Sequence, residues 1–536
     1  MREPQLSQLN ESISPFQHVI PQFLLPTRLS IARYMSGYVD GFSNHHPFIH
    51  IPTLRILSYP RSPELILAIM AIGAQYRYET KTARALYQAG RSIVLERLRR
   101  GDLFPPAKAN YSVQNESNTR STNADYMDRT RALLLLATHC SWQADLGLTQ
   151  ECFEYQSLIA RSLRQIGLSE DQGHHGDDWA QWARCEMDRR TKLFGWCLLN
   201  LQSLAFNTPP PLLSHELNLY LPSSCEEWVA PNQAKWLASR SRFPSPVMFK
   251  EAHSSHLANA SNLPPVPGVS PMGNYILVHA LLQRIYLSQQ LSHDSHRQSL
   301  PARDVEQLEH ALNRWRHTWR TSPESMLDLQ NSYASLPFTS TALLGAAHIR
   351  LHCNLGQWRD LPSCDTNTVA ATLQEAPVPQ RGDHLIYALL HSVHSLNIPV
   401  QLGISYLSRC RSFSWSIHHA LCDLECAAFL SKWLGVIAES QQTQPLSPLE
   451  NRVIRWVMRV VREALLSQDE MIHLGHEIND PNLSYLSQTA RLLSYAVVKV
   501  WAQMFKSCNS PWPVVGFIGQ SLDRYAELIH TAHLTG

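Results

Sequence analysis

Thiols, imidazoles and carboxylates recur in this chain at spacings that invite a metal or proton-transfer reading. His418, Cys422 and Cys426 fall four residues apart along one helical face. A straight helix can turn only adjacent members of such a row toward one tetrahedral ion, so a third ligand in line is out of reach. Free cysteine is among the most buried residue types, and the row reads as core thiols beside a histidine. The run His174-His175-Gly176-Asp177-Asp178 also holds ligand types, but it lies where a helix N-cap and an acidic first turn belong. A magnesium site of the terpene-cyclase kind needs a further acid in that run and a second carboxylate cluster, and neither stands out. In His45-His46-Pro47-Phe48-Ile49-His50, Pro47 forces an extended turn, so His46 and His50 do not share a helical face.

Phosphate loops, dinucleotide-binding glycine patterns, nucleophile elbows and paired-histidine zinc helices are all missing from the sequence. No block has the spacing of a two-Cys two-His finger. The reading is therefore of a protein that is not an enzyme, with no catalytic, metal-binding or DNA-contacting residue and no cofactor in this chain. One charged feature remains. Arg452, Arg455, Arg459 and Arg462 form a stripe on a helix whose other face is Val453, Val457 and Val460. It is a candidate docking face for an acidic partner, set against a solvated face neutralised by Glu450 and Glu463.

The elements that would position these groups are helical throughout. Leu and Ala recur, long β-branched runs are rare, and apolar residues step by three, four or seven. Helices are expected from Pro26 to about Phe42, then after a Ser62 cap with Pro63 in the first turn, at about 82–100, 125–144 and 148–167. A long one follows the Asp178 cap and stops at Asn207-Thr208-Pro209. Residues 104–124 read as a surface loop. Further helices are expected from 273 onward, ending with 447–467, 483–505 and 514–533. The organisation expected is a flexible leader over 1–26, a helical half over 27–242, a Pro/Ser-rich linker or loop over 243–272 and a second helical half over 273–536. The fold class is all-α: one large multi-helix assembly with antiparallel packing and long loops.

Charge is nearly balanced, with 46 basic and 44 acidic residues, so the basic excess of a free-standing DNA-binding domain is absent. The 11 cysteines are scattered and lie mostly in apolar runs, which suits a reducing compartment. The longest apolar stretch, Leu193 to Phe206, falls short of the roughly 18 residues of a membrane span. A soluble protein without membrane contact is expected.

Three segments, in order, resemble the fungal-specific transcription factor domain, the regulatory region of fungal zinc-finger regulators. The first is FSNHHPFIHIPTL, Phe42 to Leu54, followed by LILAIMAIGAQY and LYQAGRSIV. The second is WAQWARCEMDRRTKLFGWCLLN, Trp179 to Asn200, with FNTPPPLLSHELNLYLPSSCEEWVA after it; Glu186 precedes Arg189 and Arg190 at ion-pair spacing. The third is the C-terminal VWAQMF and PWPVVGFIGQSLDRYAELI, which is similar to the subgroup with two-Cys two-His fingers.

The resemblance implies a nuclear transcription regulator acting on RNA polymerase II-dependent genes, metabolic or secondary-metabolite genes among them. It implies contacts with other regulators or with itself, and it is compatible with a small-molecule effector. Zinc and DNA contact belong, in the family, to a finger that precedes this region. Residues 1–26 hold no Cys-rich block, so DNA is expected to be reached through a finger missing from this chain or through a partner. The rival expectations are an all-α metal-dependent enzyme of the terpene-cyclase type and a helical adaptor without a transcriptional role.

Overall fold

Apolar residues at helical spacing, bounded by caps and prolines, give an all-α protein in the computed structural model. The structure describes residues 3–105, 116–170, 176–258, 264–292, 300–327, 331, 333–409, 416–440, 443–466 and 486–535. No strand occurs among them; the β-type pairings are the isolated bridges Ser169 with Asn218 and Tyr220 with Met248.

Local signals act as read at several helix ends. Thr27 caps Arg28–Gly37 by accepting from Ser30 N, and a π turn, Tyr38–Phe42, continues it. Gly101 ends Thr80–Arg100 at φ 75°, where a side chain would be strained. Asp178 caps Trp179–Phe206 through Ala180 N and Gln181 N, and Asn207 closes that helix in the left-handed region. Ser62 differs from expectation. Its side chain makes no cap bond to Pro63–Tyr76; its carbonyl accepts from Leu65 N at 3.0 Å instead.

Three stretches expected to be irregular contain helices. The 1–26 leader holds Glu3–Ile13, and Leu9, Ile13, Phe16 and Ile20 are buried. Leu9 and Ile13 lie four apart on one face of that helix, and Phe16 and Ile20 follow it in a 3-10 turn and a bend. Part of the 104–124 loop belongs to Glu116–Ser141. Extending an existing helix adds a hydrogen bond for each residue fixed, so low-propensity residues follow the strong segment after them. The 243–272 linker contains Phe249–Leu257, with Phe249 and Ala252 buried. Its prolines flank that helix without interrupting it, and Pro271 opens Pro271–Ser292, where a proline costs no helix bond.

One large apolar cluster runs from Leu9 to Ile529 and takes in residues of both helical halves. Pro271–Ser292 packs on Trp179–Phe206, Ala302–Thr321 and Ser335–His352. Ile417–Ser440, buried almost all round, packs on Ser335–His352, Ile386–Leu402 and Leu486–Ser507. Leu486–Ser507 and Pro513–Thr535 form a closely packed pair, and a side chain at Gly519 would come within 2.7 Å of Lys506 N. The turn between them docks on the N-terminal region: Val514 N donates to Trp142 O, Tyr78 donates to Asn509 O at 2.6 Å, and Tyr76 meets Trp512 edge-on at 5.8 Å.

Candidate functional site

The residues with ligand or catalytic chemistry are, for the most part, held in buried structural pairs. Glu186 salt-bridges Arg189 Nη1 at 2.6 Å and Arg190 Nε at 2.7 Å, and it accepts from Ser223 N at 3.0 Å. Arg190 donates onward to Pro47 O and Ser223 O, and its guanidinium lies 4.0 Å from the Trp228 ring. One carboxylate thus ties Phe42–Leu54 to the long helix and to the segment returning after it. His50 packs 4.7 Å from Trp228, and burial lowers its pKa to about 4. A second network holds Glu425 against Arg350 at 2.6 Å and Arg359 at 2.9 Å. Burial pushes the Glu425 carboxyl up, but the two guanidinium groups overcome it and hold it below its ordinary value. Both arginines also donate to Leu204 O, at the end of the long helix.

His46 and His418, far apart in sequence, meet at a ring distance of 5.7 Å. Tyr275 Oη lies 2.8 Å from His418 Nε2, and His279 stands 6.2 Å away. Burial drives His46 and His418 well below the usual imidazole range and His279 to about 3, so these rings are neutral at ordinary pH. His46 and His50 go separate ways, as Pro47 requires. Cys422 and Cys426 are buried thiols on the His418 helix. Among the described residues, no group of three or more His, Cys, Asp or Glu is placed to hold a metal ion. Asp177 pairs with Arg240 at 3.4 Å and Asp178 caps the long helix; His174 and His175 lie outside the described residues.

The arginine stripe lies on Pro448–Leu466 as the periodicity required. Val453, Val457 and Val460 face the core, while Arg452, Arg455 and Arg459 are exposed and Arg462 is half-buried. Arg455 Nε donates to Asn451 Oδ1 at 2.9 Å. A shallow groove of about 430 Å³ runs along Arg455, Met458, Arg459, Arg462, Glu463 and Leu466. Glu450, expected to neutralise the stripe, instead pairs with Arg381 at 2.6 Å, because it sits on the inward side of the first turn.

Two further cavities were not foreseen. One, of about 370 Å³, lies between the Pro244–Pro246 and Pro265–Ser270 segments and Glu324. Its acid is already committed: Glu324 accepts from Cys225 N and Glu226 N, each at 3.0 Å. The other, of about 240 Å³, opens between Ala302–Thr321, Ser335–His352, Ile386–Leu402 and Ile417–Ser440. Trp315, Trp319 and Phe338 line it, with Asp423 on its wall. The signal that could have found Asp423 is an acid inside a helix with apolar residues on every side, as for Glu425 two positions on, since such a group must be paired, protonated or used.

No helix among the described residues is long and apolar enough to cross a membrane. The family model of the fungal specific transcription factor domain matches residues 35–317, and that of the fungal transcription factor C-terminal domain matches residues 354–524. No curated protein and no solved structure matches the chain.

Proposed function

Because the chain belongs to the fungal specific transcription factor domain family, and is thereby a transcription regulator, we propose that it controls RNA polymerase II-dependent genes from the nucleus, through protein contacts and without catalysis. The observation that carries this reading is the joining of the two matched regions in one core. The 35–317 and 354–524 regions share a single apolar cluster, and Glu425 on the second bonds Arg350 while Arg350 and Arg359 reach Leu204 O on the first. Such a body passes a change at one surface to another by shifting how its helices pack.

The contact surface in this reading is the stripe of Arg452, Arg455, Arg459 and Arg462, which fits an acidic segment of another regulator or of a second copy. Arginine forks match carboxylates in bidentate geometry, and an exposed row of them raises the encounter rate with an acidic partner. DNA is reached through a zinc finger outside these residues or through the partner. Metabolic or secondary-metabolite genes are the targets this reading favours.

The test is to tether the chain to an unrelated DNA-binding domain upstream of a reporter, in wild-type form and with Arg452, Arg455, Arg459 and Arg462 all changed to Glu. The wild-type chain changes reporter output and the variant does not. A reporter indifferent to the tethered wild-type chain, together with exclusion of the protein from nuclei, would overturn the proposal.

A further inference from the structure

Among the described residues, buried acids are held by arginine, by backbone N–H groups or by a hydroxyl. Glu64, Glu96, Glu186, Glu425 and Glu450 each pair with arginine. Glu324 accepts two backbone N–H groups, and Glu227 lies beside the Ser224 hydroxyl it accepts from. Asp423 is 1% exposed, and its Oδ1 accepts from the Ser395 hydroxyl. Its Oδ2 is fully buried and has no hydrogen-bond partner among the described residues. A buried carboxylate oxygen left without a donor costs free energy.

Asp423 is one of the residues lining the 240 Å³ cavity described above. That volume is near the small end of the roughly 300–1,000 Å³ usual for ligand sites. Apolar and aromatic residues make up much of the remaining wall. Trp315, Trp319, Phe338, Ala342 and Ile398 supply apolar surface, and the indoles of Trp315 and Trp319 lie stacked with centroids 6.3 Å apart. Aromatic faces around a single uncompensated acid favour a cation that is itself part of a flat apolar body, through the ring quadrupoles and through the charge. Two arginines also line the cavity: exposed Arg320, whose charge is screened by water and salt, and half-buried Arg316, whose guanidinium lies over the Tyr387 ring at 5.2 Å.

We propose that this cavity binds a small arylalkylamine, its ammonium group at the Asp423 carboxyl and its ring against Trp319 and Phe338. The ligand supplies the donor and the counter-charge that every arginine-paired acid in the molecule already has. The Ile386–Leu402 helix forms one wall of the cavity and also packs on the Pro448–Leu466 helix that bears the arginine stripe. A route from occupied cavity to docking face therefore exists. That link rests on the regulator reading, whereas the binding itself does not.

The test is calorimetric titration of the full chain with phenethylamine, with its near-isosteres propylbenzene and 3-phenylpropionate as the uncharged and anionic arms. Phenethylamine is expected to bind one site saturably and at least tenfold more tightly than either. Asp423→Asn, which keeps the shape and the bond from Ser395, is expected to lower its affinity at least tenfold. A second variant, Ala342→Trp, fills the cavity and leaves Asp423 in place; it should abolish binding, with circular dichroism checking that each variant stays folded. Absence of saturable amine binding, equal or tighter binding of either isostere, or unchanged affinity in folded Asp423→Asn would each overturn the proposal. The titration does not read transcription, so its failure and that of the reporter experiment are distinguishable.

Discussion

Replacing Asp423 by Asn should make this protein more stable at neutral and alkaline pH, and the gain should grow with pH in a definite window. Burial pushes the Asp423 carboxyl up to about 7, with only the Ser395 hydroxyl opposing it. An unfolded chain releases the same proton near pH 3.9, and one pKa unit corresponds to about 1.36 kcal/mol. Since the folded state holds the proton more tightly, the stabilisation is complete below about pH 4, declines as pH rises, and is gone above about pH 7. Asn carries no such proton.

The difference between variant and wild type should therefore widen by about 3 kcal/mol from pH 5 to pH 8 and then stay level. The other titratable and charged groups lining the cavity are Arg316 and Arg320 on Ala302–Thr321, His391 and His394 on Ile386–Leu402, and His419 and Cys426 on the Asp423 helix; Ser335–His352 contributes none to its lining. Present in both proteins, these largely cancel in the difference. Urea unfolding followed by far-UV circular dichroism, run on both proteins across this range, measures it. A gap that does not change with pH, or an Asn variant less stable at pH 8, would refute the reasoning. The variant that gains stability is also the one expected to lose the amine, the usual trade at a site held ready for a ligand.

Other expectations follow from the same structure. Glu425→Ala leaves Arg350 and Arg359 buried without their acid and should cost roughly 3–5 kcal/mol in denaturant unfolding. Gly73→Ala would drive a methyl group into Tyr34 O, where Arg28–Gly37 crosses Pro63–Tyr76, and should cost about 1–3 kcal/mol by the same measurement. Asp178→Ala removes the acceptor for two N–H groups of the long helix and should cost roughly 0.5–2 kcal/mol. Arg455→Glu with Arg459→Glu should shift unfolding by no more than about 0.5 kcal/mol per site while abolishing the reporter response, because exposed charges contribute little to the fold.

Much was legible before any coordinates. Helical periodicity, the Asp178 and Gly101 caps, the Glu186 ion pairs and the outward face of the arginine stripe are all set by residues within a few positions of one another, and local geometry decides them. The helix hidden in 1–26 was equally local; its apolar positions Leu6, Leu9 and Ile13 were masked by polar neighbours. The Phe249–Leu257 helix was obscured by its flanking prolines, which read as a linker until the residues between them are counted on their own.

What the sequence determined by itself is the family, the all-α class and which face of each helix is apolar, because these follow from the order of side chains along the chain. Tertiary structure alone decided the rest. It set His46 against His418, joined Arg350 and Arg359 to Glu425, sent Glu450 to Arg381 and not to the stripe, and left Asp423, on a cavity wall, with an oxygen that has no hydrogen-bond partner among the described residues. The physical reason is that pairing and desolvation depend on which distant helices come into contact. A spacing rule can say that an acid faces inward, but only the packed partners determine whether a cation meets it there.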